Sequence, residues 1–495
     1  MTITVFSLDS CPHCKKAKAL LADRGWPYVE ISLSDYPERR ADMLALADRL
    51  TVPQIFFGDT HVGGASELKQ LSVEGGLEKL YESAGEPTDP RMQPPDYPPQ
   101  HEEATIAPRT EESVCLGATC MSFLDVQHML ETELKISNRT SNLLFTHRQS
   151  FVGMELADFV QRRFELPSRA EAVQVCASLH GLRFFHHVTH DLPFVDDAKT
   201  LYRLQQHAAP SVLNTRRIWA DRVGEPMATL RALKKQLEAL EEAHTTDADG
   251  TVDAAALAAD ARFAAFEEAT CELQAEGMGL ARMEEATRLA FCINLYNMAV
   301  RHAFFALGTP RTGLQIRAYF DTAKYNVGGL LYSLNDLENG VLRCNERAPL
   351  HFSVPFRRGD PRLAACLPTK EPRVHFALNC GARSCPAVKA YTAEAVHEEL
   401  RLAALGFLET ADNCRVERAA HTLWLSKIFS WYERDFGESA AAVAAAVVEW
   451  LRGEPRAELQ AMLDEAARGG PKVKVRHMHY DWSNNVRGAK QFTRS

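Results

Sequence analysis

The sequence predicts a multidomain chain whose first part is α/β, whose middle part is α+β and whose last part is mainly α. Three observations lead to this prediction. Residues 1–84 alternate between short β-type runs and helical patterns, which is typical of a small α/β sheet. A proline-rich stretch separates them from residues 115–210, where helical patterns lead into a short β-type run. Helical patterns dominate residues 247–490.

Length, composition and charge exclude several classes of protein. With 495 residues, 46% of them hydrophobic and 24% charged, the chain is long enough for about two to four globular domains. A net charge of −9 argues against a dedicated nucleic-acid binder. No run approaches about 18 apolar residues and the start lacks a basic segment, so we expect no membrane-spanning helix, no signal peptide and a cytoplasmic location. The 12 cysteines are then expected to be mostly reduced.

The patterns divide the chain into five consecutive segments. A small α/β domain over 1–84 is followed by a proline-rich, semi-extended linker over 85–114. An α+β domain over 115–210 leads into a charged helical spacer over 211–246, and a mainly α (α+β) domain fills 247–490. The first domain is expected to contain these elements in order: strand 2–7, helix 12–24, strand 27–32, helix 37–50, strands 54–58 and 60–63, and helix 66–83.

The motif Cys11-Pro12-His13-Cys14 directly follows a β-type run and opens a helical pattern. At a helix N-terminus a cysteine faces unsatisfied N–H groups and the positive end of the helix dipole, so its thiolate is stabilised. A thiolate attacks disulfides, and a second cysteine one turn along can resolve the mixed disulfide. The motif therefore predicts redox chemistry. The alternative, half of a zinc site, needs a second Cys/His pair, and only His61 and His101 occur within about the next hundred residues.

Three motifs of the first domain resemble those of the glutaredoxin family: Cys11-Pro12-His13-Cys14, Thr51-Val52-Pro53 and Gly63-Gly64-Ala65-Ser66-Glu67. The resemblance covers residues 1–84 and implies a thioredoxin fold. It implies that Cys11 attacks disulfides or glutathionylated proteins and that Cys14 is the resolving thiol. It also implies glutathione as reductant and co-substrate, with no metal. Glutathione would be held by residues of the second and third motifs: Val52, Pro53 in a cis peptide, Gly63, Gly64 and Ser66.

One position departs from the pattern of the glutaredoxin family. Its members commonly carry Lys three residues before the first Cys, where this chain has Leu8, and Asp9 adds a negative charge. Both changes are expected to raise the pKa of Cys11, which His13 would partly offset. A glutaredoxin fold kept as a binding module with weak turnover therefore stays open beside active chemistry.

Three segments of the middle domain share a second family pattern, with Phe194 and Tyr202 following at the family's spacing: 151–159 (FVGMELADF), 168–173 (SRAEAV) and 185–190 (FHHVTH). Over residues 122–207 they resemble the DEP domain, a winged-helix-like fold. The resemblance implies docking to a membrane surface or to a signalling partner. The domain offers no nucleophile–base pair, so we expect binding rather than catalysis. The candidate contacts are arginines, since guanidinium suits phosphate and carboxylate: Arg148, Arg162, Arg163 and Arg183.

The last domain carries several signatures, of which the strongest is HFALNCGARSCP over 375–386. The others are AFCINLYN over 290–297, YSLNDLENG over 332–340, DPR over 360–362, LSKIFSWY over 425–432 and YDW over 480–482. Together they make residues 250–485 resemble the family called domain of unknown function 547, whose activity is unsettled. Strands are expected near 351–354 and 373–378. Cys380 would then follow a strand, at a turn where backbone donors can stabilise an oxyanion.

The candidate second site in this domain consists of Cys380, Cys385, His375, Glu338 and Asn297. A nucleophile, a base, an acid and an amide are the parts of a thiol hydrolase, which needs its cysteine and histidine within hydrogen-bond reach. A redox role needs instead that the two cysteines approach each other. A structural role, with the cysteines as small buried residues, needs neither.

The sequence therefore leads to one main function and two alternatives. The main one is glutathione-linked thiol–disulfide oxidoreduction, coupled to signalling or localisation through the DEP module. The alternatives are a redox-sensing signalling adaptor without significant turnover and thiol-dependent hydrolysis by the last domain. The expected partners are glutathione, disulfide or glutathionylated protein substrates, and a membrane surface or signalling partner, but no nucleic acid. The chain is expected to be cytoplasmic and peripheral at membranes.

Overall fold

The computed structural model of the chain describes these residues: 2–8, 11–36, 38–49, 51–95, 113–141, 145–188, 192–208, 211–219, 224–246, 250–349 and 351–493. Most of the linker expected over 85–114 lies outside them. The start of that segment is described, and Pro90–Met92 form a 3₁₀ turn. Met92 is buried in the core of the first domain, and the Thr4 hydroxyl donates to the Met92 carbonyl oxygen over 3.0 Å. The first domain therefore extends beyond residue 84.

The first domain contains these elements: β1 (Ile3–Ser7), α1 (Pro12–Ala22), β2 (Tyr28–Ser32), α2 (Arg39–Ala47), β3 (Gln54–Phe57), β4 (Thr60–Gly63), α3 (Ala65–Val73) and α4 (Leu77–Ser83). Its sheet has the order β2-β1-β3-β4, with β1 parallel to β2 and antiparallel to β3. This is the expected thioredoxin-like arrangement. The helix expected over 66–83 is two helices, because Gly75 with φ +69° ends the first of them.

Alternate residues of β1 point to opposite faces of this sheet and enter two cores. Val5 packs with Leu21 of α1 and Leu68 of α3 on one face. Phe6 packs with Met43 of α2 on the other. Because both faces are covered, β1 is fixed in the centre of the sheet. Its end therefore leads directly into the turn before α1.

The middle domain contains these elements: β5 (Ser113–Leu116), β6 (Thr119–Ser122), α5 (Phe123–Glu133), β7 (Ser137–Ser141), β8 (Phe145–Val152), α6 (Gly153–Arg163), α7 (Arg169–Gly181), β9 (Phe185–His187) and β10 (Leu201–Leu204). The three helices pack against a sheet of order β7-β8-β10-β9. The hairpin β5–β6 carries a disulfide between Cys115 and Cys120, which lie opposite each other and are exposed. This pair is an exception to the expectation of mostly reduced cysteines.

The last domain contains these helices: α8 (Pro226–Ala243), α9 (Ala254–Ala259), α10 (Ala261–Ala269), α11 (Glu285–Leu307), α12 (Gly313–Thr322), a π-helical segment (Asp336–Leu342), α13 (Val396–Leu408), α14 (Ile428–Trp431), α15 (Glu433–Phe436), α16 (Ala440–Val448) and α17 (Gly453–Ala467). Its strands are β11 (Val252–Asp253), β12 (Lys324–Val327), β13 (Leu330–Ser333), β14 (Cys414–Glu417), β15 (Thr422–Leu425), β16 (Lys474–His477) and β17 (Val486–Arg487). The larger core surrounds α11, and a smaller one joins α16, α17 and the sheet β14-β15-β16.

The structure corrects three expectations for this part of the chain. The segment 211–246 is not a spacer, because Leu230, Leu233 and Leu237 of α8 are buried in the larger core. No strand forms over 351–354, where Phe352 is exposed. The run 373–378 lies mostly in a buried 3₁₀ helix (Pro372–Phe376) instead of a strand. Cys380 therefore follows a helical turn.

The first domain contacts the last domain at α1, at the loop before α2 and at α2. Lys15 pairs with Glu242 over 2.9 Å, and Lys235 pairs with Asp35 over 3.7 Å. Arg40 is buried near Tyr391 and Glu399. Leu44 packs against Leu402 and Leu405 of α13. Arg452 pairs with Asp48 over 2.8 Å. Within the ranges that the structure describes, no helix has both the length and the apolar composition needed to cross a bilayer.

Candidate active site

Cys11 is the N-cap residue of α1, and its backbone is extended. Its sulfur accepts a hydrogen bond from the backbone N–H of Cys14 over 3.1 Å. The Cys11 thiol donates toward the carbonyl oxygen of Val52, 3.7 Å away. Cys11 is partly exposed, whereas Cys14 is fully buried. An incoming disulfide therefore reaches Cys11 first.

The two thiols differ in acidity. A hydrogen bond from the Cys14 side chain lowers the pKa of Cys11 against the effect of burial, and the backbone N–H groups of Cys14 and His13 act in the same direction. The hydrogen bond to Cys11 and burial raise the pKa of Cys14. Cys11 is thus the thiolate of the pair and Cys14 its protonated partner. This difference supports Cys11 as the attacking thiol and Cys14 as the resolving thiol.

Leu8 is buried and packs in the same cluster as Phe6, with Cys11 at its edge. A cation that the sequence analysis did not single out lies elsewhere. Lys18 is one turn beyond Cys14 on α1, and its charge lowers the pKa of both thiols. The i, i+4 spacing from Cys14 on one helix face is the sequence signal that could have found it.

The residues expected to hold glutathione lie beside the attacking thiol. The Val52–Pro53 peptide is cis, and Pro53 is buried. Gly64 lies against this peptide, since a Cβ at Gly64 would be 3.4 Å from the Pro53 carbonyl oxygen. Gly63 has φ +112°, a conformation that favours glycine. Ser66 is exposed in the first turn of α3.

The side chain of Glu67 holds the Gly63–Gly64 segment in place. Its Oε2 accepts the backbone N–H of Gly64 over 3.1 Å, and its Oε1 lies 2.5 Å from Arg49. The hydrogen bond from Arg49 is the largest effect that lowers the pKa of Glu67. The N-terminus of α3 is therefore held next to Pro53.

The sequence of the N-terminal segment is similar to those of known proteins. A family model for glutaredoxin matches residues 3–62. Glutaredoxin 1 of Rickettsia conorii is 42% identical over 91 residues, which cover 18% of this chain and 89% of that protein. Glutaredoxin 3 of Escherichia coli K12 is 36% identical over 78 residues, which cover 16% of this chain and 94% of that protein. A solution structure of glutaredoxin from Brucella melitensis is 42% identical and covers 17% of this chain and 90% of that chain, with a TM-score of 0.16.

The chain belongs to the glutaredoxin family. Its N-terminal segment is a thiol–disulfide oxidoreductase domain. Two further family models match, one for the domain found in Dishevelled, Egl-10 and Pleckstrin (DEP) over 133–204 and one for the protein of unknown function DUF547 over 280–408. The presence of these three families in one chain, as the sequence motifs indicated, is confirmed.

A second pair of cysteines lies in the DUF547 domain of this glutaredoxin-family chain. The sulfurs of Cys380 and Cys385 are 3.1 Å apart, and both residues are partly exposed. The backbone N–H of Cys380 donates to the Cys385 sulfur over 3.2 Å. The Tyr480 hydroxyl is 3.1 Å from the Cys385 sulfur and 3.8 Å from that of Cys380. The hydrogen-bond donors therefore converge on Cys385.

Cys385 is the more acidic thiol of this pair. Burial opposes its ionisation, but hydrogen bonds from Cys380, from Tyr480 and from the backbone of Ala382 lower its pKa to about 7. The hydrogen bond to Cys385 and burial raise the pKa of Cys380. Burial raises the pKa of Tyr480, so its hydroxyl stays a donor.

Two asparagines hold the loop that carries these cysteines. Asn297 of α11 donates to the Ala377 carbonyl oxygen over 2.9 Å and accepts the backbone N–H of Asn379 over 2.8 Å. The Asn379 side chain accepts the N–H of Gly381 and donates to the Pro386 carbonyl oxygen, each over 2.7 Å. Asn297 thus positions the loop through the backbone.

Glu338 and His375 have partners other than the two thiols. Glu338, in the π-helical segment, accepts the Tyr296 hydroxyl over 2.8 Å and also that of Tyr432. His375 Nε2 lies 2.9 Å from Asp435, and its ring stacks on Tyr432 with centroids 4.0 Å apart. The described hydrogen bond of His375 goes to a carboxylate. The cysteine–histidine contact that a thiol hydrolase needs is therefore not formed.

Sequence reasoning missed the tyrosines and the carboxylate of this region. Tyr480 belongs to the YDW signature and Tyr432 to the LSKIFSWY signature, yet neither had a role. Asp435 pairs with Arg343 over 2.5 Å, and both are nearly fully buried. Asp435 lies 92 residues beyond Arg343 and Tyr480 lies 95 residues beyond Cys385, so no local pattern joins them.

Three of the four arginines proposed as contacts of the DEP domain have partners within the chain. Arg183 donates to the Gly328 carbonyl oxygen of the DUF547 domain over 3.0 Å. Arg162 and Arg163 bond to groups of their own domain. Arg148 is exposed on β8. Arg148 is therefore the candidate best placed to meet a partner.

Proposed function

We propose that this chain reduces protein disulfides and glutathione mixed disulfides through Cys11 and Cys14, with glutathione as the reductant. The observation that carries the proposal is the Cys11 sulfur at the N-cap of α1, where the Cys14 N–H donates to it over 3.1 Å. A partly exposed thiolate at a helix N-terminus is the reactive form of cysteine in disulfide exchange.

The reaction follows from the roles of the two thiols. The Cys11 thiolate attacks one sulfur of the substrate disulfide, a bond forms between them, and the other half leaves as a thiolate that takes up a proton. With a protein disulfide, Cys14 then attacks the Cys11 sulfur and releases the second half. Two glutathione molecules reduce the resulting Cys11–Cys14 disulfide and leave as glutathione disulfide. With a glutathione mixed disulfide, Cys11 takes the glutathionyl group and a second glutathione removes it.

The groups beside Cys11 suit the glutathione tripeptide. The Val52 peptide, whose carbonyl oxygen lies 3.7 Å from the Cys11 sulfur, is placed to offer backbone hydrogen bonds to an extended peptide. The N-terminus of α3, with Ser66 in its first turn, suits a terminal carboxylate. These features support glutathione as the bound thiol.

The test is a glutathione-dependent reductase assay of the full chain on a glutathione mixed disulfide and on a protein disulfide. Cys11→Ser should abolish both reactions. Cys14→Ser should keep the first and lose the second, because only the second needs a resolving thiol. Cys366→Ser, a partly exposed cysteine outside the site, is the control and should keep both.

Unchanged reduction by the Cys11→Ser chain would exclude the proposal. The second function, a redox-sensing adaptor, predicts a different result for the wild-type chain. It would form the mixed disulfide at Cys11 but release it too slowly for turnover.

For the DEP domain we propose docking at an anionic membrane surface, which would hold a cytoplasmic chain at the membrane. Arg148 supports this role because it is exposed and basic. Flotation of the full chain with lipid vesicles tests it. If the chain does not float with any vesicle but is retained by a signalling protein, that protein replaces the membrane as the proposed partner.

A further inference from the structure

The Cys380–Cys385 pair takes no part in the reaction proposed for Cys11 and Cys14. Its two sulfurs are in contact in a different domain, in a loop that Asn297 of α11 holds in place. We propose that this pair is a second thiol–disulfide exchange site, in which Cys385 attacks disulfides of small thiols and Cys380 resolves the mixed disulfide.

The geometry is that of a dithiol close to forming a bond. The sulfurs are 3.1 Å apart, so a movement of about 1 Å brings them to the disulfide bond length. Gly381, between them, has φ +87°, and the Asn379 side chain accepts its N–H over 2.7 Å. The loop is therefore bent so that both side chains meet. A purely structural role would not require this contact.

The arrangement of donors assigns the two roles. The Cys385 sulfur faces the Cys380 N–H and the Tyr480 hydroxyl, which stabilise negative charge on it. The Cys380 sulfur has the weaker contact with Tyr480, at 3.8 Å, and shares its proton with Cys385. Cys385 is therefore the attacking thiolate, and Cys380 is placed to attack the Cys385 sulfur once that sulfur is part of a mixed disulfide.

Access to the pair is through an aromatic surface. The rings of Trp431, Tyr480 and Trp482 lie 4.8 to 5.3 Å apart between neighbouring centroids. Trp482 is 43% exposed. Tyr480 itself is buried, so a small disulfide would approach the partly exposed cysteines at the edge of this surface.

The exchange balances with glutathione disulfide as the oxidant. The Cys385 thiolate attacks one glutathione sulfur, the sulfur–sulfur bond of glutathione disulfide breaks, and one glutathione leaves with the electron pair and takes up a proton. Cys380 then loses its proton, attacks the Cys385 sulfur and releases the second glutathione. Two electrons pass from the dithiol to glutathione disulfide. Excess glutathione drives the same steps in reverse.

Thiol-dependent hydrolysis fits this geometry less well. A hydrolase needs a base in contact with the nucleophile. The Nε2 of His375 lies against Asp435, and the ring is stacked on Tyr432. Glu338 is occupied by two tyrosine hydroxyls. Of Cys380, His375 and Glu338, all within the described residues, Cys380 alone has a hydrogen bond with Cys385.

The experiment uses the full chain with four substitutions that remove the other paired cysteines: Cys11→Ser, Cys14→Ser, Cys115→Ser and Cys120→Ser. After equilibration with mixtures of glutathione and glutathione disulfide, the chain is blocked with an alkylating agent and digested with trypsin. Cleavage after Arg383 puts Cys380 in peptide 374–383 and Cys385 in peptide 384–389. A disulfide then appears as a linked pair of these peptides.

We expect the linked pair to form as the share of glutathione disulfide rises and to disappear as glutathione is restored. Cys380→Ser should stop the chain at a glutathionylated Cys385. Absence of the linked pair at every ratio would overturn the proposal. Since Cys11 and Cys14 are absent from this chain, the result does not depend on the reaction proposed for them.

A second measurement follows the rate of alkylation of each cysteine against pH. At pH 7, Cys385 should react at least about tenfold faster than Cys366, another partly exposed cysteine whose pKa burial raises. Tyr480→Phe removes one donor and should shift the midpoint for Cys385 upward by about one pH unit. Equal rates at Cys385 and Cys366 would contradict the assigned nucleophile.

Discussion

The side chain at position 8 affects both the acidity of Cys11 and the packing of its loop. A lysine there would bring a cation near the thiolate, as the family pattern indicates. The structure shows that Leu8 also fills a buried place beside Phe6 in the core under the sheet. At this position a lysine would therefore stabilise the Cys11 thiolate through its charge but destabilise the fold through lost packing. Lys18 of α1, paired with Glu30 over 2.8 Å, supplies a cation that lowers the pKa of Cys11 without that conflict.

Leu8→Lys should lower the pKa of Cys11 and also destabilise the N-terminal domain. The added cation stabilises the thiolate, whereas the lost burial of Leu8 costs roughly 2 kcal/mol of unfolding free energy. The pH dependence of Cys11 alkylation measures the first effect, and thermal unfolding measures the second. Leu8→Met, which keeps the apolar packing, is the control and should change neither by much. An unshifted alkylation profile would show that position 8 does not limit the acidity of Cys11.

Elements with a strong local period could be predicted from the sequence, and those set by tertiary contacts could not. The alternation of strands and helices in the first domain is local, and its order was correct. The run 373–378 is as apolar as a buried strand, but Pro372 starts a 3₁₀ helix and the Glu371 side chain caps it. The π-helical segment that carries Glu338 has no distinct apolar period.

One of the two candidate sites could also be predicted from a local pattern, and the other depends on tertiary contacts. Cys11 and Cys14 are three residues apart on one turn, so their pairing followed from the motif alone. Cys380 and Cys385 could be placed near each other but not given a role. That role depends on Tyr480, about a hundred residues later, whose hydroxyl reaches the Cys385 sulfur only in the folded chain. The position of His375 depends likewise on Asp435.

Gly381→Ala should disrupt the loop of the second cysteine pair. A Cβ at this position would lie 2.3 Å from the ring of Phe304 on α11, in addition to the strain of φ +87°. Gly359→Ala is a matched control, because its φ is +88° but nothing lies within 4 Å of the added atom. The control should cost about 1 kcal/mol of stability from backbone strain. Gly381→Ala should cost about 1–3 kcal/mol more from overpacking.

Thermal unfolding of the DUF547 domain compares the two glycine variants, and the linked tryptic pair shows whether the sulfurs still meet. The pair should persist in Gly359→Ala and be lost in Gly381→Ala. Equal stability of both variants would mean that Phe304 moves aside and that the contact does not hold the loop.

At the scale of the whole molecule, the first domain meets the DUF547 domain along α1 and α2, where Lys15 pairs with Glu242 over 2.9 Å and Arg40 is buried near Tyr391 and Glu399. The ion pair between Arg452 and Asp48 is largely exposed on the side of Asp48, and such pairs contribute little. The apolar contact of Leu44 with α13 is small. The DEP and DUF547 domains are linked by Arg183, which donates to the Gly328 carbonyl oxygen, and by the segment after β10, in which Ile218 packs in the DEP core and Leu213 in the larger core. The described hydrogen bonds of the Cys11 sulfur are to Val52 and Cys14, so its redox geometry is built within its own domain.

The location of the whole chain should depend on Arg148 if the DEP domain docks at an anionic membrane. The full chain should float with vesicles that contain phosphatidylserine and stay behind with neutral vesicles. Each basic side chain at such a surface contributes about 1 kcal/mol, so Arg148→Glu should weaken vesicle binding by at least about fivefold. Arg456→Glu makes the same charge change on the exposed side of α17 and should have no such effect. Equal losses in both variants would point to net charge instead of a DEP surface, and no flotation with either vesicle would remove the membrane from the proposed function.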